Sequence, residues 1–346
     1  MKSLLTSCFA ILLLLPATAQ DKDRRPYQVK NLAGENIQFA HLETSGGNLS
    51  VTGTDADQRL EVYVWPANGR NKNISDAEIK ERLERDFNLT ITVSNGKLEA
   101  IAKPKRNIRN WNETVSISFK LYAPRQVSTD LTTSGGNISL DGIRGGKQDL
   151  ETSGGNLSLN GVSSNIKGVT SGGNISVTDC ENEIRLSTSG GNISADKSKG
   201  TLKLTTSGGN LQLTNLDGKI DAVTSGGNVK ADQIMGELIT STSGGNLRLG
   251  NLRCSVQAST SGGHIAVSVT ELGKYVKLGN SGGDIDLELP AGKGLDLQLQ
   301  AEKISTPTLQ NFQGSVDEHS IRGKVNGGGT PVELHTSSGR IRFTMK

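Results

Sequence analysis

The phrase Thr-Ser-Gly-Gly-Asn followed by an aliphatic residue returns along this chain at a nearly constant interval, and no other feature constrains the fold as much. Its serines are Ser134, Ser153, Ser171, Ser189, Ser207, Ser225, Ser243 and Ser261, so the first interval is 19 residues and the next six are 18. A period this regular assigns one copy to each turn of a stacked structure, with its neighbours directly above and below. Counting from the phrase serine, aliphatic residues fall at offsets four and six, as in Leu157 and Leu159, Ile175 and Val177, Leu211 and Leu213. A second alternating run precedes each phrase, as in Leu202, Leu204 and Thr206. Such alternation marks half-buried strands. Between the two runs an apolar residue at offset nine (Ile143, Val162, Leu216, Ile234, Leu252) leads into a small-residue turn. These features read as an all-β protein: a single-stranded parallel β-solenoid with about 18 residues per coil and a small strand-and-helix insertion near its N-terminus.

The phrase itself has a structural use that needs no ligand. Gly-Gly is expected to take positive φ and reverse the chain at the corner. Offset three is Asn137, Asn156, Asn174, Asn192, Asn210, Asn228 and Asn246. With coils stacked about 4.8 Å apart, these amides form a column, and an inward-leaning amide ladder is expected. The threonines at offset seventeen (Thr152, Thr170, Thr188, Thr206, Thr224, Thr242, Thr260) continue the inward set of the strand before the corner, so burial is expected for them. That phase disfavours an ice-binding threonine face. A phosphate cradle is excluded because no helical period follows any glycine pair.

The phrase from Thr133 to Leu140, its echoes and the closing Thr336-Ser337-Ser338-Gly339-Arg340-Ile341 resemble the bacterial putative-adhesin family of β-strand-repeat envelope proteins, a domain of unknown function. The resemblance covers residues 35 to 346. It implies a β-solenoid at the cell envelope and brings no catalytic residues.

Residues 1–19 read as a secretory signal: Lys2, the run Ile11 to Leu15, and a small-residue cleavage site at Ala17-Thr18-Ala19. Cys8 lies before the apolar run, which argues against lipoprotein acylation. The expected division is then first coil or coils at 20–53, the insertion with strands and one helix at 54–114, regular repeats at 115–300, and terminal coils with a cap at 301–346. Inside the insertion, Ser75 with Glu78 three residues on signals a helix start, and Asn95-Gly96 signals a hairpin turn. No later run is long enough to span a bilayer. An exported product follows, in the periplasm, on the outer surface or outside the cell.

A net charge of +3 gives no argument for nucleic acid. Lys167, Arg185 and Lys203 make a short basic column, read as a solvated face because Asp221, Ile239 and Gln257 continue it. Cys180 and Cys254 sit four coils apart, too far for a disulfide, and Cys180 fills an apolar offset-nine place. Neither cofactor nor metal site is expected. Asp284, Asp286 and Glu288 are the nearest approach to an acidic cluster, with Asp286 and Glu288 on the solvent side of a strand; His264 replaces a column asparagine.

Of twelve aromatic residues, nine precede residue 134. Sugar faces stack on aromatic rings, so Tyr63, Trp65 and Trp111, beside the basic run Lys103, Lys105, Arg106 and Arg109, are the candidate partner-binding residues, with Trp65 and Trp111 alternatively forming a small core for the insertion. The function read here is a structural or adhesin-like surface element without enzymatic activity, monomeric or weakly self-associating, for an unknown envelope or extracellular protein or glycan. The alternatives are a glycan-active lyase or hydrolase on a β-helix, or a self-assembling envelope scaffold.

Overall fold

The computed structural model describes residues 25–67, 74–105, 107–108 and 110–346. Residues 1–24, which include the expected signal segment and Cys8, and Arg106 and Arg109 lie outside them. The chain winds as parallel rungs with two walls. Wall A is built from strands that precede the phrase, wall B from strands that follow it. In the regular array, wall A stacks Ser128–Thr133, Arg144–Thr152, Ser163–Thr170, Glu181–Thr188 and Lys199–Thr206 in register. Wall B stacks Ile138–Asp141, Leu157–Asn160, Ile175–Thr178 and Ile193–Asp196. Three longer strands, Leu211–Thr224, Val229–Thr242 and Leu247–Thr260, each run from wall B into wall A. The core is the space between the walls, filled by offsets four, six and nine; Leu211, Leu213 and Leu216 are all essentially inaccessible.

Gly-Gly behaves differently from expectation. Neither glycine of the repeated phrase takes positive φ; that conformation belongs to the opposite corner, at Asp179, Lys197, Asn215, Gln233 and Asn251. The second phrase glycine is required for a different reason. A Cβ on Gly209 would lie 1.9 Å from the carbonyl oxygen of Gly191 in the coil below, whereas one on Gly208 would meet nothing closer than 3.7 Å. Coil-to-coil approach, not chain reversal, selects glycine there. The threonine column is buried as expected, with Thr206 at 1% and Thr224 at 1% exposure.

Both ends depart from chain order. The coil formed by Phe39–Thr44 and Leu49–Thr54 stacks directly on the coil at 128–141, although more than seventy residues intervene. On its other side lie Lys97–Pro104 and Val115–Pro124, which together make the outermost parallel rung. Residues from 54 to 114 therefore do not loop out between coils. They pass to the end of the stack, where Phe87–Ser94 and Arg59–Pro66 pair antiparallel with that rung and Gln28–Asn31 pairs with Arg59–Pro66. The helix Asp76–Asp86 begins at Ser75, whose hydroxyl accepts the Glu78 amide, and packs on these strands through Leu83. Asn95 and Gly96 both have positive φ in the hairpin turn.

At the other end, Leu295–Gln300 and Lys303–Ser305 form the outermost parallel rung, and Thr330–Thr336 with Arg340–Met345 slots between it and the rung of Val276–Asn280 and Ile285–Leu289. Ser320–Val325 and Phe312–Val316 add antiparallel strands outside wall A. The closing phrase is thus second from the end in space. Antiparallel strands turn both ends of wall A away from continued parallel stacking, which manages the edges that a repeat would otherwise leave open.

Candidate functional site

The asparagine column lies on the outside of the corner, not leaning inward. Each side-chain oxygen accepts the backbone N–H of the asparagine one coil on: Asn192 Oδ1 from Asn210, and Asn210 Oδ1 from Asn228, both at 2.8 Å. Amide-to-amide contacts are few, with Asn228 Nδ2 to Asn210 Oδ1 at 3.3 Å as one example. The column runs from Asn48, whose own N–H is accepted by Ser118 Oγ, through Asn246 to the amide of His264.

Beside the first members of that column, on the solvent face of wall B, sits an aromatic platform. Strand alternation sends Val62 and Val64 into the core and Tyr63 and Trp65 outward. The two rings stack with centroids 5.6 Å apart and planes at 27°. Their strand is fixed by antiparallel pairing that sets Tyr63 opposite Ser118 and Trp65 opposite Ser116. Below Tyr63 a chain of contacts holds the platform: its hydroxyl donates to Glu61 Oε2 at 2.8 Å, Arg59 Nε donates to Glu61 Oε1 at 2.7 Å, and the Arg59 guanidinium lies 3.8 Å from the Tyr122 ring centroid. Burial works against the Glu61 carboxylate, yet the bonds from Arg59 and Tyr63 outweigh it and hold the acid below its usual range.

The platform closes one side of a cleft of ≈ 260 Å³ whose other sides are Asn48, Asn137, Ser50, Ser139 and Lys120. An apolar ring face opposite amides, hydroxyls and an ammonium can stack a sugar ring and bond its hydroxyls. It holds no carboxylate placed for acid–base chemistry; Glu61 is already engaged from two sides.

Trp111 is elsewhere. It stands 45% exposed in the short turn Trp111–Glu113 and does not line the cleft. Trp65 and Trp111 therefore do not form a core together; Val62, Val64, Ile117 and Phe119 do that. Of the basic run, Lys103 pairs with Glu43 at 3.0 Å and Lys105 donates to the Glu84 carbonyl at 2.5 Å. Asn48, Ser50, Ser139 and Lys120 are the site residues the sequence did not single out.

The acidic cluster near the C-terminus is bound up in ion pairs, Asp284 with Arg340 at 3.1 Å, Asp286 with Arg342 at 2.6 Å and Glu288 with Lys346 at 2.6 Å, and His264 Nε2 lies 3.2 Å from Asp286. These pairs tie the inserted final strand to its neighbour. Cys180 and Cys254 are buried and unpaired, and burial pushes the Cys254 thiol up to about 12. Among the described residues no group of three or more His, Cys, Asp and Glu side chains is placed to hold a metal ion, and no helix is long and apolar enough to cross a membrane.

Fold and site define an all-β parallel solenoid with a ligand-sized aromatic cleft at one end. Residues 175–344 match the Toastrack DUF4097 family, in agreement with the resemblance carried by the repeated phrase. The match runs from the wall B strand starting at Ile175 into the final strand. Similar solved structures include a putative cell adhesion protein from Clostridium sporogenes (14% identity, 93% of this chain and 100% of that one, TM-score 0.19). A putative adhesin from Bacteroides fragilis is similar at 11% identity over 92% of this chain and 96% of that one, TM-score 0.31. A putative lipid binding protein from Parabacteroides distasonis is similar at 12% identity over the same shares, 92% and 96%, TM-score 0.29. No curated protein matches the chain.

Proposed function

We propose that this protein is an exported, non-enzymatic β-solenoid that acts as an adhesin-like surface element and binds glycan in the Tyr63–Trp65 cleft. The observation that carries the reading is the stacked aromatic pair, held from below by Glu61 and Arg59 and facing the amides and hydroxyls of two successive rungs. Aromatic side chains presenting a fixed face with polar neighbours are what saccharide and partner recognition use. The regular coils fit a spacer role, since they offer nearly the same surface at every level. A glycan-cleaving enzyme is disfavoured by the pairing of Asp284, Asp286 and Glu288 with basic side chains and by the engagement of Glu61 with Arg59 and Tyr63. A self-assembling scaffold is disfavoured by the antiparallel strands over both ends of wall A.

Binding of the purified protein to an array of neutral and charged glycans tests the reading. Hits should weaken at least about tenfold in Trp65→Ala, recover in Trp65→Phe, and ignore Trp111→Ala. Full binding by a folded Tyr63→Ala/Trp65→Ala variant overturns it, as does glycan cleavage by the purified protein.

A further inference from the structure

A second concavity lies far from the cleft but on the same solvent face of wall B. Two outward columns run along this wall, and for two rungs they shrink to Gly250, Ala266 and Ser268. The loss of side chains opens a groove of ≈ 540 Å³. Its two rims differ in electrical state. On one rim Asp286, Glu288 and Arg342 are already neutralised, Asp286 by Arg342 and Glu288 by Lys346. On the other rim stands Asp232, whose Oδ1 accepts from Asn251 Nδ2 at 2.8 Å, and with it two cations, Lys230 and Arg248, paired in register on adjacent strands, which leave this rim net positive. Both are exposed, and neither side chain makes an ion pair or hydrogen bond among the described residues. Like charges on directly opposed residues repel, and a bound anion would relieve that repulsion.

We infer that this groove binds a saccharide that carries a carboxylate. The Arg248 rung and the Asp286 rung lie two strand spacings apart, about 10 Å, with the bare Ala266 rung between them. That gap accommodates one sugar ring over Ala266. The carboxylate then faces the Arg248 fork and the Lys230 ammonium, an arrangement suited to charge-assisted bonds. Ring hydroxyls face Ser268 and Glu288. The site is independent of the aromatic cleft: eight rungs separate the strand at Leu49 from the strand at Ile265, about 40 Å along the wall, so the two sites can be tested apart.

The test is titration calorimetry on the full protein at low ionic strength with tetragalacturonate, its methyl ester and inorganic phosphate. The acid should bind and the ester should bind at least about tenfold more weakly. Lys230→Ala/Arg248→Ala should weaken the acid by a similar factor, and Ala266→Trp, which fills the groove and keeps both cations, should do the same. All three positions are on the solvent face, and thermal melts check that the variants fold. Tyr63→Ala/Trp65→Ala should leave the affinity unchanged. The inference is overturned if acid and ester bind alike, if Ala266→Trp leaves binding intact, if phosphate displaces the acid at equal concentration, or if the aromatic variant abolishes binding.

Discussion

Thr206 donates its hydroxyl proton to the carbonyl oxygen of Gly191, one coil away, at 2.8 Å, and its hydroxyl oxygen accepts the Gly209 amide of its own phrase at 3.2 Å. Thr152, Thr170, Thr188, Thr224, Thr242 and Thr260 repeat both bonds. One buried hydroxyl therefore satisfies a carbonyl of one coil and an amide of the next, both of which would otherwise be orphaned at a dry corner. At the irregular rung Asn280 takes over, with Nδ2 donating to the Gly263 carbonyl at 2.7 Å and Oδ1 accepting the Gly282 amide at 3.2 Å. Thr206→Val keeps the shape and loses both bonds. It is expected to cost about 1 to 3 kcal/mol in denaturant unfolding, while Thr206→Ser should recover most of the loss; equal midpoints for Val and wild type would contradict the role assigned to the hydroxyl.

The two phrase glycines should respond oppositely to the same substitution. Gly209→Ala places a methyl 1.9 Å from a backbone oxygen that belongs to a packed rung, so the coils must separate locally. Gly208→Ala meets only ordinary contact distances. The first change is expected to destabilise by more than about 3 kcal/mol and the second by under about 1. Comparable melts for the two variants would show that chain reversal, not coil spacing, is what the glycines supply.

Asn210→Ala removes an acceptor that sits in water's reach, which leaves the Asn228 amide open to hydration. The expected loss is accordingly modest, about 0.5 to 1.5 kcal/mol, and Asn210→Asp, which keeps an acceptor oxygen, should lose less than Ala at moderate salt. A penalty matching that of Thr206→Val would mean that the amide is less hydrated than its exposure implies.

How far the sequence led can be read from these same residues. Period and alternation placed every wall strand of the regular array and the burial of Thr152 through Thr260, because stacking makes each coil a copy of the last. The same repetition hid the role of Gly209: a local turn and a close approach between coils both select glycine, and only coordinates separate them. The order of rungs at the ends was also hidden. Pairing of Leu42 with Ala100 and Leu131 on its two sides depends on long-range register that no local pattern encodes. Tyr63 and Trp65 stood out by rarity, but Asn48, Ser50 and Ser139 join them only because the early coil stacks directly on the array.

Cys180 and Cys254 should resist thiol reagents in the native protein. Burial raises both thiols, Cys254 to about 12, so the thiolate that reacts is scarce as well as shielded. Reaction of Cys180 and Cys254 with an aromatic disulfide reagent should be negligible until denaturant unfolds the chain, when both thiols should react. Rapid native labelling of either cysteine would show that its coil opens far more readily than its packing implies.

Acid should loosen the C-terminal end before the array. The final strand Arg340–Met345 is held in its slot in part by Asp284, whose Oδ1 accepts the Arg340 amide at 2.9 Å and whose Oδ2 meets the Arg340 guanidinium at 3.1 Å. The Arg340 amide is the main reason that the Asp284 carboxyl lies below its usual range, with burial opposing and the arginine side chains assisting. A folded value below the unfolded one means that the ionised form stabilises the fold. That contribution is complete above the unfolded value, near pH 4, and disappears as pH falls through the folded value. Asp284→Asn retains an oxygen for the Arg340 amide but not the charge, so it should be less stable than wild type at neutral pH and converge with it in strong acid. Hydrogen exchange at residues 340–345 should follow the same course, accelerating below about pH 4 in wild type while the amides of 193–196, in mid-array, stay protected. Wild-type and Asp284→Asn melting curves that run parallel from neutral to strongly acid pH would exclude Asp284 as the group that fastens the final strand.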